Sequence, residues 1–207
     1  MTVMHTPVPA RSDVDPALAA AAATGHPFRV HGMLLSVGAA AWAVATAIVG
    51  VGVIEGQPDL AIFGIGSGLF QLGLLALLRV LWRTRAMGTG RLARTFLRVE
   101  TVFVVLALAS TVVDALGISD LDQAGWAMLD AFWPLSMLGM FAIGIRIAIA
   151  GRWTGASRFW PMVAESWALV VIPTLGIFGE TAATVVSVVH LLVGYAVLGQ
   201  IVSRKQS

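Results

Sequence analysis

Apolar positions run along this chain in long unbroken stretches, not in the alternation of a strand or the single stripe of a surface helix. Val30–Ile54 is 25 residues without Asp, Glu, Lys or Arg, Leu60–Leu78 is 19, and Thr181–Ser203 is 23. Each is long enough to cross a hydrocarbon core as a helix, which takes about 20 residues. Three further stretches include isolated charges. Arg98–Leu116 includes Glu100 and Asp114, Asp130–Ala150 includes Arg146, and Phe159–Gly179 includes Glu165. They too are predicted as helices, because an open strand in lipid leaves backbone groups unpaired. The expected fold is all-α: a polytopic transmembrane helical bundle of six spans, near 30–54, 59–80, 96–116, 130–150, 159–179 and 181–203. Residues 1–27 contain Pro, Ala and Thr with Asp13 and Asp15 and no apolar periodicity. They read as a disordered tail, without the basic start and apolar run of a signal peptide. The bundle then occupies 28–203, and 204–207 is a second short tail.

Composition agrees. Charged residues make up 12% and hydrophobic residues 58%, with a mean hydropathy of +0.88. A soluble domain carries about 25% charge, so a water-soluble globule is excluded. The absence of cysteine removes disulfides, thiolate metal sites, iron–sulfur clusters and cysteine nucleophiles.

The placement of the charges predicts orientation. With the N-terminus inside, all 13 Lys and Arg fall in segments 1–29, 79–98, 146–158 and 203–207. The opposite connections hold Glu55, Asp59, Asp120, Asp122 and Glu180 and nothing basic. Both termini are therefore expected in the cytoplasm. The Arg-rich, Asn-free composition points to a GC-rich bacterium and its cytoplasmic membrane. Arg83, Arg85, Arg91, Arg94 and Arg98 are the expected contacts with anionic lipid headgroups on that face. A pI of 9.9 needs no nucleic-acid partner, since topology accounts for it.

Local signals mark the helix ends. Pro58 and Asp59 open the second span, Asp130 is placed to cap the fourth with Pro134 in its first turn, and Ser157 to cap the fifth. Pro173 is expected to kink the fifth span and free a carbonyl near Leu169. Gly64 and Gly68 form a GxxxG step, and the first span is Ala-rich from Ala39 to Ala47. Such faces let helices approach closely. The Gly64/Gly68 face also offers a contact for a homo- or hetero-oligomer.

Ionisable residues inside spans are costly and so point to function. Glu100, Arg146 and Glu165 lie on three helices at one depth, roughly 6–9 Å inside the cytoplasmic boundary at 1.5 Å per residue. The expectation is that Arg146 bridges both carboxylates, as a latch or as a proton- or solute-coupling site. Asp114 and Asp130 face the other side, as interfacial acids or as a cation-attracting vestibule. His190 lies deep in the sixth span, with Gln71, Ser136 or Ser187 as expected partners. His31 sits at a different depth, so the two cannot ligate one haem. No cofactor and no metal site are expected.

Ser136 and His190 enter the fourth and sixth spans from one side. The stretch His190-Leu-Leu-Val-Gly194-Tyr-Ala-Val-Leu-Gly199 resembles the glycine-spaced sixth helix of rhomboid-type membrane serine proteases. That resemblance implies a serine–histidine hydrolase, but Pro134 and Met137 stand where the family's Gly-x-Ser-Gly requires glycine. Over its whole length the chain resembles uncharacterised six-helix membrane proteins of GC-rich bacteria. The stretches concerned are Phe96-Leu-Arg-Val-Glu100, Trp133-Pro-Leu-Ser-Met-Leu-Gly139 and Arg158-Phe-Trp-Pro161. This implies a fold category and no activity. The expected function is a non-enzymatic small-solute or ion transporter, or an accessory membrane subunit. The alternative is a membrane-embedded hydrolase using Ser136 and His190.

Overall fold

The computed structural model of the protein describes residues 26–52 and 56–205. Most of the tail 1–27, Glu55 and the last two residues lie outside the described residues. Within them are six helices long and apolar enough to span a membrane: α1 (Arg29–Val49), α2 (Asp59–Thr84), α3 (Arg91–Ala115), α4 (Ala124–Ala150), α5 (Ala156–Phe178) and α6 (Glu180–Ser203). The six expected spans are all present. Their ends differ where polar residues continue the backbone ladder past the apolar run. Hydropathy marks the edge of the hydrocarbon, not the last hydrogen bond, so α2 runs on to Thr84 and α3 starts at Arg91. At the other extreme α1 stops at Val49, because Gly50 adopts φ +95°, which only glycine enters without strain.

Three helices depart from regular geometry. α4 has a turn at Ala131, so Asp130 closes a short first segment (Ala124–Asp130) instead of capping the span. α5 is interrupted at Ser166, not at Pro173, which sits inside the continuous segment Trp167–Phe178. There the Ser166 N–H turns back to Val163 O, and the ladder resumes with Val170 N–H to Ser166 O. Gly155 precedes α5, and Ser157, the expected cap, lies within its first turn with its hydroxyl donating to Thr154 O. In α6, Leu191–Ala196 is a π-helical turn.

The helices alternate in direction and produce two chemically distinct ends. At one end Arg29, Thr84, Arg91, Ala150, Ala156 and Ser203 terminate the helices, and Trp153 donates its indole N–H to Thr84 Oγ1 at 3.1 Å. All twelve described Arg and Lys lie toward this basic end. Lys205 lies over the Trp153 ring at 4.6 Å, and burial there pulls its ammonium pKa below the ordinary value. The opposite, acidic end gathers Asp59, Asp114, Asp120, Asp122, Asp130 and Glu180.

Close helix crossings are built on glycine. A Cβ at Gly73 would lie 2.8 Å from the Leu35 Cα, and one at Gly66 would collide with Ala45 and the Ala41 carbonyl, so α1 and α2 meet backbone to backbone. Gly144 does the same for α4 against Met162 of α5. Gly64 and Gly68 face Ala115, Leu108 and Thr111 of α3. The step expected to serve an oligomer thus also packs α2 against α3, and both glycines stay partly exposed. Trp42 occupies the centre, 1% exposed, with ring centroids of Phe70, Trp167, Trp133 and Phe63 at 4.7, 5.1, 5.8 and 6.3 Å.

Candidate functional site

Two carboxyl groups lie inside the bundle. Glu100 of α3 is 2% exposed and Glu165 of α5 is 3% exposed. The Glu100 carboxyl lies against Gly139 of α4, where a Cβ would force it to shift. Glu165 is the last residue before the interruption in α5, and Tyr195 in the π turn of α6 donates its hydroxyl to Glu165 Oε2 at 2.7 Å. Glu100 Oε1 and Glu165 Oε1 have no hydrogen-bond partner.

Glu165 also lines a small cavity of about 20 Å³ with Gln71, Ser136 and Tyr195 among apolar neighbours that include Trp42 and Trp133. Gln71 donates Nε2 to Thr111 Oγ1 at 3.0 Å, which leaves its Oε1 unpartnered, and Trp42 Nε1 is unpartnered as well. A space of this size holds one water-sized particle, which needs about 10–15 Å³, and Glu165 Oε1, Gln71 Oε1 and Trp42 Nε1 supply polar atoms without other partners.

The irregular turns that hold this site are stitched to one another. A π turn and a broken helix each free backbone carbonyls, which must find partners in a dry interior. Trp160 of α5 donates its indole N–H to the carbonyls of Gly194 (3.0 Å) and Val193 (3.2 Å) in the π turn. His190 Nε2 stands 3.0 Å from the carbonyl of Ala164, just before the interruption in α5. A carbonyl only accepts, so Nε2 carries the proton. Trp167 donates to Ser187 Oγ at 3.0 Å. His190 bonds to none of its expected partners: Gln71 donates to Thr111, Ser136 to Trp133 O, and Ser187 accepts from Trp167.

Arg146 departs most from expectation. It shares the depth of the two glutamates but is exposed, and its Nη2 lies beside Gly88 in the connection between α2 and α3. The buried face of α4 is Ser136, Met140, Ile143, Gly144 and Ile147. Arg146 lies off that face, so equal depth did not mean equal azimuth. Arg146→Ala is accordingly expected to leave the melting temperature in detergent within the error of wild type, a change below about 0.5 kcal/mol. A loss of several degrees would restore the latch.

At the acidic end Asp114 and Asp130 are joined through Ser110, whose Oγ lies 3.5 and 3.4 Å from them. With Thr111, Ser67 and Trp133 they line an open cavity of about 510 Å³. Trp133 is a wall of both this vestibule and the inner cavity, and the Thr111–Gln71 bond links the two linings. Ser136, in contrast, donates to Trp133 O at 2.8 Å on its own helix, and His190 lines a separate cavity among valines. Ser136 and His190 form no pair.

Tyr195, Trp133 and Trp160 are the site residues that sequence reasoning did not select, and Gln71 was selected only as a partner for His190. Tyr195 carried a signal, being the one tyrosine in the chain and lying within a charge-free span. Compared with known protein families, with curated proteins and with solved structures, the chain matches none.

Proposed function

We propose that the protein is a non-enzymatic, multi-pass membrane protein that moves protons through the buried Glu165–Glu100 pair, with its basic end and both termini in the bacterial cytoplasm. The observation that carries this reading is the buried Glu165 carboxyl, with Oε1 unpartnered and a small cavity beside it. An ionised carboxylate removed from water costs several kcal/mol unless compensated. Neither glutamate has a cationic partner among the described residues, so a mobile proton is the compensation at hand. The vestibule at the acidic end shares its Trp133 wall with this cavity, which supports entry from that end once the ring turns. The separation of Ser136 from His190 argues against the hydrolase.

Proton flux into liposomes with an imposed pH gradient tests this. Wild type should dissipate the gradient well above protein-free liposomes, and Glu165→Gln should lower the rate at least ten-fold. Tyr195→Phe should fall between them. Wild-type flux equal to that of protein-free liposomes, or to that of a well-folded Glu165→Gln variant, would sink the proposal.

A further inference from the structure

Independently of any transport, the basic end carries an unanswered charge. Twelve Lys and Arg crowd there, while the acids of that half, Glu100 and Glu165, are buried away from them. Some of the cations are occupied: Arg98 over Trp82 at 5.3 Å, Lys205 over Trp153, and Arg158 donating to Ala148 O at 2.8 Å. Among the described residues no hydrogen bond or ring contact engages the guanidinium groups of Arg85, Arg94 or Arg146.

These three converge on one short loop. Arg146 lines a groove of about 460 Å³ with Gly88 and Thr89, and Arg85 with Arg94 lines an adjoining cavity of about 300 Å³ against the same Gly88 and Thr89. Gly88 holds φ +109°, and Arg146 Nη2 is 3.9 Å from where its Cβ would stand. Past the loop the groove turns apolar along Leu92, Phe96 and Ala142, with Leu92 82% exposed.

We infer that this groove binds one anionic phospholipid, with its phosphate among Arg85, Arg94 and Arg146 and an acyl chain along Leu92, Phe96 and Ala142. Guanidinium groups match phosphate oxygens in charge and in planar, two-toothed geometry. A zwitterionic lipid fits poorly, since its ammonium would enter a site with three cations and no carboxylate. Free phosphate would satisfy the guanidinium groups and leave the apolar half of the groove uncovered.

The test is thermal unfolding of the full chain in neutral detergent, titrated with phosphatidylglycerol, phosphatidylcholine or inorganic phosphate. Phosphatidylglycerol should raise the melting temperature saturably, phosphatidylcholine should not, and phosphate should reproduce only a small part of the shift. Arg94→Ala/Arg146→Ala should melt like wild type without lipid and bind phosphatidylglycerol at least ten-fold more weakly. Arg204→Ala, an exposed cation at the same end, should respond like wild type. Native mass spectrometry gives a second reading, as retained phosphatidylglycerol that the double variant loses. Equal responses in wild type and the double variant, an equal loss in Arg204→Ala, or a full shift with phosphate alone would each overturn the inference.

Discussion

Gly199→Leu is expected to yield no monodisperse bundle. At this crossing α6 passes α1 so closely that a Cβ on Gly199 would stand 2.5 Å from the Gly32 carbonyl oxygen and 2.7 Å from the Ser36 nitrogen. The contact is reciprocal, since a Cβ on Gly32 would meet the Ser203 Cα at 2.7 Å. Both obstacles are backbone, which cannot swing aside as a side chain can. Overpacking costs about 1–3 kcal/mol where side chains can shift, and more where they cannot. Separating the helices would also strain two hydrogen bonds, Ser36 Oγ to Ala196 O at 2.8 Å and Gln200 Nε2 to Ser36 Oγ at 3.2 Å. Size-exclusion profiles and melting curves give the readout. Gly176→Leu is the control, because nothing lies within 4 Å of a Cβ there. It should be neutral, or gain up to about 1 kcal/mol from helix propensity. A Gly199→Leu variant that purifies and melts like Gly176→Leu would refute the close crossing.

Trp42→Ala should cost nearly as much for the opposite reason. Its ring fills the space between Phe63, Phe70, Trp133 and Trp167. Removing a buried tryptophan costs about 3–5 kcal/mol, and neighbouring helices relax only partly into the void. In lipid the loss falls on dispersion contacts more than on transfer from water, because the unfolded reference is also apolar. A drop of about 10 °C in melting temperature follows from roughly 2–4 °C per kcal/mol for a chain of this size. The small cavity beside Glu165 would also widen. Trp42→Phe should recover most of the stability. A Trp42→Ala melting temperature within 2–3 °C of wild type would mean that the aromatic cluster contributes little.

The contrast between these two positions reflects what could be read along the chain. Six spans were legible because burial in hydrocarbon demands a fixed length of apolar residues, and the stretches from Val30, Leu60 and Thr181 meet that demand on their own. Glu100 and Glu165 were legible because a carboxylate within such a stretch is rare. The relation among residues on different helices was not legible. Depth follows from counting, but rotation about each axis is set by packing, and packing at Gly139 and Gly144 depends on the neighbouring helix. That is why Arg146 was expected beside the glutamates and stands outside them. The interruption at Ser166 was equally hidden. Pro173 removes one donor and was the obvious breaker, yet the helix runs through it. The break falls instead where the carbonyl of Ala164 finds His190.

The aromatic cluster has a practical consequence. Trp42, Trp133 and Trp167 form a triangle with centroid separations of 5.1, 5.8 and 6.0 Å, and two of the three line the Glu165 cavity. Indole transitions held this close and at fixed angles couple, so the near-ultraviolet circular dichroism of the native protein should carry a strong signal from the site itself. Any event that changes the charge at Glu165 or turns the Trp133 ring then becomes visible optically, in the native protein and without a label.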